Sequence, residues 1–164
     1  MKKLILLIAL ALLSFEGFSQ NGFRIGLNGG IPAGDANTFS GWTSGLDLDY
    51  DWALSEKVSA GLSTGITSYF ARSAYASYDY IPIVGSVDFG LSNKLYLGGD
   101  AGIAIGLNSG TSTNFLYRIQ LRYQASSRID FAVRWNSVST NFQNNFVSIS
   151  DVSDIGFSFG YRFY

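Results

Sequence analysis

The sequence of 164 residues contains no cysteine and no histidine. Without cysteine, disulfide bonds and thiolate metal sites are excluded. Without histidine, the chain lacks the side chain that most often serves as a general base and that activates serine nucleophiles. We therefore expect no catalytic residue, no metal site and no cofactor, and we expect that the protein is not an enzyme. A reaction based on carboxylates or lysine stays open on composition alone, although no motif indicates one.

Charge is scarce as well. Charged residues make up 14% of the chain, whereas a soluble domain carries about a quarter. There are only 2 prolines, while aromatic residues reach 16% and glycines number 19. With a net charge of −1 and no run of basic residues, the sequence offers no surface for nucleic acid, and we expect no such partner. The length suits a single domain.

The first residues have the features of a secretory signal peptide cleaved after Ser19, which predicts a leader over 1–19 and one mature domain over 20–164. Two lysines form its basic start, and residues 4–13 are an uninterrupted apolar run. The alternative is a transmembrane helix. That alternative needs roughly 20 apolar residues, so the run is too short for it.

After the leader, apolar residues alternate with small or polar ones in eight segments. This period of two predicts strands with one apolar and one polar face. Most segments run about ten residues, the length that a tilted membrane-spanning strand needs. Eight is also the smallest usual number of strands in a membrane barrel. The predicted strands cover residues 23–31, 45–54, 58–70, 81–91, 95–107, 115–125, 129–137 and 155–164.

The alternation fits either a membrane barrel or a soluble, lipocalin-like barrel with its apolar faces inside. Volume favours the membrane barrel, because an eight-stranded barrel holds only a compact core or one small ligand. The apolar face here contributes several large side chains from most strands. The other face is rich in glycine and serine, which fits a narrow lumen.

The last predicted strand carries the most specific pattern, with aromatic residues on alternate positions. It resembles the terminal strand of Gram-negative outer-membrane barrels, which the barrel-assembly machinery reads as a signal. In that family the final residue is usually the in-phase aromatic. Here Phe163 is in phase and Tyr164 lies one residue beyond it. The resemblance implies an assembly signal formed by Phe159, Tyr161, Phe163 and Tyr164.

Short and long connections alternate along the chain. Three short ones share a pattern that predicts three-residue turns closed by facing pairs on the same face of the sheet: Leu54 with Val58, Leu91 with Leu95, and Ala125 with Ile129. The long connections are polar and cover 32–44, 71–80, 108–114 and 138–153. This asymmetry is typical of outer-membrane barrels, whose short turns face the periplasm.

Aromatic residues gather where the two membrane interfaces would lie, as expected of aromatic girdles. Five aromatics near the outer loops, one of which also belongs to the outer girdle, have two interpretations: a binding surface, or outer girdle and loop packing, and the second is favoured. These five are Tyr69, Phe70, Tyr75, Tyr78 and Tyr80. The predicted girdles comprise Phe23, Trp52, Phe89, Tyr123 and Phe163 near the short turns, and Trp42, Phe70, Phe115, Tyr117 and Trp135 near the outer ends.

Charged residues on the polar faces would project into the lumen. Barrel closure places the first strand beside the eighth, so Arg24 and Arg162 can face Asp47, Asp49 and Asp51. We expect an ion-pair network that plugs the lumen, because unpaired buried carboxylates are costly. An ion pathway or proton relay is the alternative. The predicted network comprises Arg24, Asp47, Asp49, Asp51, Asp88, Asp100, Arg118, Arg122, Asp130, Arg134 and Arg162.

Together these features predict an all-β chain, an eight-stranded antiparallel up-and-down transmembrane barrel. It resembles the small OmpA- and OmpX-like barrels of the outer-membrane β-barrel group. The resemblance implies an integral, monomeric outer-membrane protein of the cell envelope, with membrane lipids and the assembly machinery as partners. It also implies a structural or adhesion role, with a possible surface ligand at the outer loops. The alternatives are a narrow porin-like channel or OmpW-like transporter of small hydrophobic molecules and, less favoured, a lipid-modifying enzyme.

Overall fold

A computed structural model describes residues 22–72, 77–108, 111–144 and 147–163 of the chain. Eight strands account for most of them, and one short helix, α1 (Ala36–Phe39), follows the first strand. The predicted leader and Tyr164 lie outside the described residues. The strands are β1 (Gly22–Ala33), β2 (Ser40–Ala53), β3 (Val58–Ala71), β4 (Tyr78–Gly90), β5 (Leu95–Gly106), β6 (Thr113–Gln124), β7 (Ile129–Asn144) and β8 (Val147–Phe163).

The strands form one closed barrel in which each pairs antiparallel with its neighbours in sequence. The first strand closes on the last, with Phe23 opposite Phe163 and Ile31 opposite Ile155. Every strand therefore has a partner on both sides, and the predicted up-and-down eight-stranded fold is confirmed. Among the described residues, no helix is long and apolar enough to cross a bilayer.

The three short turns have the predicted closing pairs. The Leu54 amide donates to the Val58 carbonyl at 2.9 Å, and the corresponding bonds are 2.8 Å at the second turn and 3.0 Å at the third. The sequence pattern fixed this register because a turn one residue shorter would set Leu54, on the apolar face, opposite the polar Lys57.

The apolar faces point outward. Leu27, Ile119 and Phe157 expose 59%, 50% and 71% of their surface, while Arg24, Arg118 and Asp154 of the same strands are almost completely buried. This distribution is the reverse of a soluble protein, in which large apolar side chains fill the core. The lipocalin-like alternative is therefore wrong, and the lumen is the polar face, as predicted.

The outer connections are shorter than predicted. Strands end at residues 33, 71, 106 and 144, so that much of the expected loop over 138–153 is strand. This part of the prediction was wrong because strands that extend beyond an apolar belt need no apolar face, and the alternation that identifies strands is lost there. As a result, β7 and β8 are the longest strands, with 16 and 17 residues.

Candidate functional site in the barrel lumen

The lumen contains three groups of ion pairs, stacked along the barrel axis. The group nearest the short turns joins Arg122 to Asp88 at 3.2 Å and to Asp51 at 3.7 Å. Arg162 reaches the same Asp51 carboxylate at 3.3 Å. A cavity of about 20 Å³ lies within this group, which is room for one or two water molecules.

The second group is centred on Arg24, which is 2% exposed. Its guanidinium contacts Asp49, the residue directly opposite on β2, at 2.6 Å. On the other side it crosses β8 and contacts Asp130 of β7 at 2.7 Å. One arginine thus bridges strands that are three positions apart around the barrel wall.

Glycine makes this crossing possible. Gly160 lies between Gly26 of β1 and Asp130 of β7 in the sheet, and a Cβ atom at Gly160 would collide with the Arg24 guanidinium. A Cβ atom at Gly98 would likewise collide with the Asp88 carboxylate. The glycines that alternate along the polar faces therefore leave room for the charged side chains of neighbouring strands.

The third group lies farther toward the outer end. Arg134 contacts Asp47 at 2.5 Å, and Arg118 lies 3.8 Å from the same carboxylate. Arg118 also lies 3.4 Å from Asp100, its partner directly across β5 and β6. Because the side chains of these pairs are 3% exposed or less, breaking one pair would leave a buried charge without compensation.

The structure brings all eleven residues of the predicted network into the lumen. Arg24 and Arg162 do face the aspartates of β2, through Asp49 and Asp51 respectively. The aspartates lie mainly on β2, β4 and β5 and the arginines mainly on β6, β7 and β8. Opposite charges consequently meet across the interior as well as along the wall.

Sequence reasoning missed a further polar cluster above the third group. Asp154 is 2% exposed and accepts hydrogen bonds from the Tyr69 hydroxyl at 2.5 Å and from the Asn136 side chain at 2.9 Å. Asp154 fell outside the predicted strands because the sequence reading placed it in the boundary between a loop and β8. Continuing the alternation of β8 backward from Ser158 would have assigned it to the lumen.

The aromatics assigned to the outer girdle divide between the two faces. Phe70 is outside and stacks on Trp42 with ring centroids 4.0 Å apart. Tyr69 and Tyr80 are fully buried inside, and Tyr78 packs against them. For these three tyrosines the binding-surface and girdle interpretations were wrong, because each is in phase with the lumen face of its strand, whereas the expected loop packing holds for Tyr69, which contacts Phe39 of α1. Tyr75 lies outside the described residues.

An apolar layer occupies the outer end of the lumen. Phe39 of α1 contacts Tyr69, with ring centroids 6.4 Å apart, and α1 thereby packs across the barrel mouth. The interior is consequently charged toward the short turns and apolar toward the outer end. The buried members of the layer are Ala36, Phe39, Tyr69, Tyr80, Val84, Ala104, Leu116, Val138 and Val152.

On the outside, aromatic rings pair near both ends of the barrel. Tyr117 meets Trp135 edge to face at 5.8 Å, and Phe23 meets Phe163 at 6.2 Å. The predicted assembly residues Phe159 and Phe163 lie on this outer surface with 42% and 48% exposed. Within the described part of the chain, no group of three or more acidic side chains is arranged to hold a metal ion.

Comparison with known proteins finds similarity in structure but not in sequence. No family model matches the chain, and no curated protein matches it. Several solved structures share its architecture. Ail, the attachment invasion locus protein of Yersinia pestis, superposes with a TM-score of 0.60 at 17% identity, over 87% of this chain and 97% of that one. Ail has also been solved in complex with the heparin analogue sucrose octasulfate.

Two further solved structures share this architecture. The N-terminal β-barrel domain of Pseudomonas aeruginosa OprF gives a TM-score of 0.59 at 16% identity, over 88% of this chain and 98% of that one. Neisserial surface protein A gives 0.54 at 12% identity, over 90% of this chain and all of that one. At such identities the likeness is one of fold. The chain has the fold of the small eight-stranded outer-membrane β-barrels.

Proposed function

We propose that this protein is an integral outer-membrane barrel with a closed lumen, which acts in the cell envelope as a structural and surface-contact element rather than as a channel or an enzyme. The distribution of charge carries the proposal. Of the twenty charged residues outside the leader, twelve lie in the lumen and eight at the two ends of the barrel. The outward belt between the ends bears no charge in the described strands, as hydrocarbon requires.

Two kinds of layer support a closed lumen. Eight ion-pair contacts of 2.5 to 3.8 Å span the charged part. The apolar layer beneath α1 adds a second barrier of a different chemistry at the outer end. An ion that entered from the short-turn end would first displace buried pairs and then meet the buried apolar layer, and both steps are unfavourable.

The surface-contact part of the proposal rests on the β7–β8 hairpin. β6 pairs with β7 only as far as Ser139, and β1 pairs with β8 only as far as Ser153. Beyond these residues, in the described pairings, the two strands continue with each other alone. The hairpin therefore extends past its neighbours at the outer end, where a partner could reach it.

The charges at the outer end indicate what kind of partner is suitable. Asp35, Asp79 and Asp151 lie there with one basic residue, Arg72, and the sequence over 141–150 is uncharged. A sulfated polyanion such as the ligand crystallised with Ail would be repelled by this surface. A neutral or cationic surface partner fits it better.

Single-channel recording tests the closed lumen against the narrow-channel alternative. Purified mature barrel would be reconstituted in planar bilayers as wild type, Asp49→Ala and Arg122→Ala, with Phe115→Ala as an outward-facing control. We expect no conductance steps from any of the four, because each lumen variant leaves the other layers in place. Insertion would be verified by protease protection in vesicles of the same lipid.

Discrete steps in the wild type, with a size or ion selectivity that the Asp49 and Arg122 variants change and the Phe115 variant does not, would contradict the proposal. The ion-pair network would then be the gate of a channel. Failure of the wild type to insert into any bilayer would instead overturn its placement in a membrane.

A further inference from the structure

The three short turns of the barrel are built on one sequence plan. Each begins with an apolar residue and a serine, and each ends with a basic residue immediately before the next strand. The middle position varies between Glu56, Asn93 and Ser127. The three turns read Leu54-Ser55-Glu56-Lys57-Val58, Leu91-Ser92-Asn93-Lys94-Leu95 and Ala125-Ser126-Ser127-Arg128-Ile129.

The serine holds the basic residue in the same place in every turn. The Ser55 hydroxyl accepts hydrogen bonds from the backbone amides of Lys57 at 3.3 Å and Val58 at 3.1 Å. Ser92 accepts the same pair of bonds at 3.4 and 3.1 Å, and Ser126 at 3.3 and 3.0 Å. A side chain that accepts from a nearby backbone amide fixes the turn conformation.

The next hairpin fixes each basic residue from the other side. The carbonyl of Lys57 accepts from the Gly90 amide at 2.7 Å. The carbonyl of Lys94 accepts from Gln124, and that of Arg128 from Arg162, both at 2.8 Å. Three cationic residues therefore occupy equivalent, rigid backbone positions around one rim of the barrel.

The basic side chains themselves are exposed, and each is followed by the first residue of a strand. Arg128 also donates to the Tyr161 hydroxyl on the outward face at 3.4 Å. Glu56 is the one acidic residue in these turns, so the rim has a net positive charge. It borders directly on the apolar belt, at the level where headgroups meet the acyl chains in a bilayer.

We propose that Lys57, Lys94 and Arg128 form a binding rim for anionic phospholipids in the leaflet on the short-turn side, which they contact through the lipid phosphate. This inference rests on the proposed membrane placement. The ammonium and guanidinium groups match phosphate in charge and hydrogen bonding, and near a surface each is worth about 1 kcal/mol toward an anionic membrane. A soluble anion would gain nothing from the adjoining belt, whereas a lipid contacts the rim and the belt together.

Trp52 offers a local reporter because it lies two residues before the first turn, on the outward face. The other two tryptophans, Trp42 and Trp135, lie near the outer end and would be replaced by phenylalanine. Quenching of Trp52 by spin-labelled phosphatidylglycerol would be compared with quenching by spin-labelled phosphatidylcholine, in vesicles of both lipids. The test variant is Lys57→Gln/Lys94→Gln/Arg128→Gln, and Lys57→Arg/Lys94→Arg/Arg128→Lys preserves the charge.

We expect quenching of Trp52 to show an about fivefold preference for the anionic lipid over phosphatidylcholine, as one charge contact of this strength implies. This preference should fall with added salt. The neutral variant should lose the preference and the charge-preserving variant should keep it. A barrel that retains only Trp42 should show no change between wild-type and neutral turns.

Equal quenching by the two lipids in a properly inserted wild type would overturn the lipid rim while leaving the membrane placement intact. A preference that persists in the neutral variant would also overturn it. A chain that fails to insert into either kind of vesicle would refute the membrane placement and the rim with it.

Discussion

At the scale of single residues, the lumen depends as much on its glycines as on its charges. Arg24 reaches Asp130 only because Gly160, on the strand between them, has no side chain. Such a position cannot be identified from the ion-pair residues alone. It follows from the register, which sets Gly160 beside both Gly26 and Asp130.

Gly160→Ala should therefore lower the free energy of unfolding by about 3 kcal/mol, close to the cost of breaking a buried ion pair. The added methyl group displaces the Arg24 guanidinium and leaves Asp130 without its partner. Urea titration in vesicles, followed by tryptophan fluorescence, would measure the change.

Gly99→Ala is the matched control, since a Cβ atom there meets no other atom within 4 Å. Its effect should stay within about 0.5 kcal/mol of zero. Equal effects of the two substitutions would show that Arg24 does not pass over Gly160.

At the scale of elements, the sequence predicted the strands of the belt well and the outer ends poorly. Alternation in segments such as 115–125 follows from a wall with lipid on one side and a lumen on the other, so its period is clear. Above the belt, the Ser- and Asn-rich sequence of β7 and β8 carries no regular alternation of apolar and polar residues. The three turns were predictable because same-face pairing allows only one loop length there.

The lumen network was predictable in membership but not in pairing. The alternation of side chains along β6 and β7 assigns Arg118 and Arg134 to the interior. Only the closed barrel shows that both reach Asp47. Tyr69 and Asp154 come together across the lumen from β3 and β8. Contacts between strands so far apart in sequence depend on how the barrel closes, which the local pattern does not specify.

The β7–β8 hairpin should be dispensable for stability. Replacing residues 140–150 by Asn-Gly would let Ser139 and Asp151, which already face each other, close a two-residue turn. The change removes no ion pair of the lumen and no residue of the belt, so the free energy of unfolding should move by less than about 1 kcal/mol.

The same urea titration in vesicles checks this expectation, with Gly160→Ala as the benchmark of a damaging change. A loss as large as that benchmark would make the hairpin a structural part of the barrel. The proposal that the hairpin is available to a surface partner would then no longer be supported.

At the scale of the whole molecule, charge is sorted into three regions. The lumen holds five arginines and seven aspartates, the short-turn end has three basic residues and one acidic residue, and the outer end has one basic residue and three acidic residues. The belt that separates the ends presents apolar side chains such as Leu97, Ile119 and Phe159. In water this sorting would expose a large apolar surface for no gain, whereas in a bilayer each region meets a solvent that suits it.

Ile119→Arg tests this sorting directly, because Ile119 lies near the middle of β6 and faces outward with 50% of its surface exposed. In a bilayer, an arginine near the midplane should lower the free energy of unfolding by about 2–4 kcal/mol. Leu54→Arg, at the short-turn end and 52% exposed, should cost less than about 1 kcal/mol, since the interface tolerates charge.

Were the belt surrounded by water instead, both substitutions would be nearly neutral and would improve solubility. Equal, small effects of the two arginines in vesicles would therefore argue against the membrane placement, whereas a large difference between two equally exposed positions can arise only from a depth-dependent, apolar surrounding.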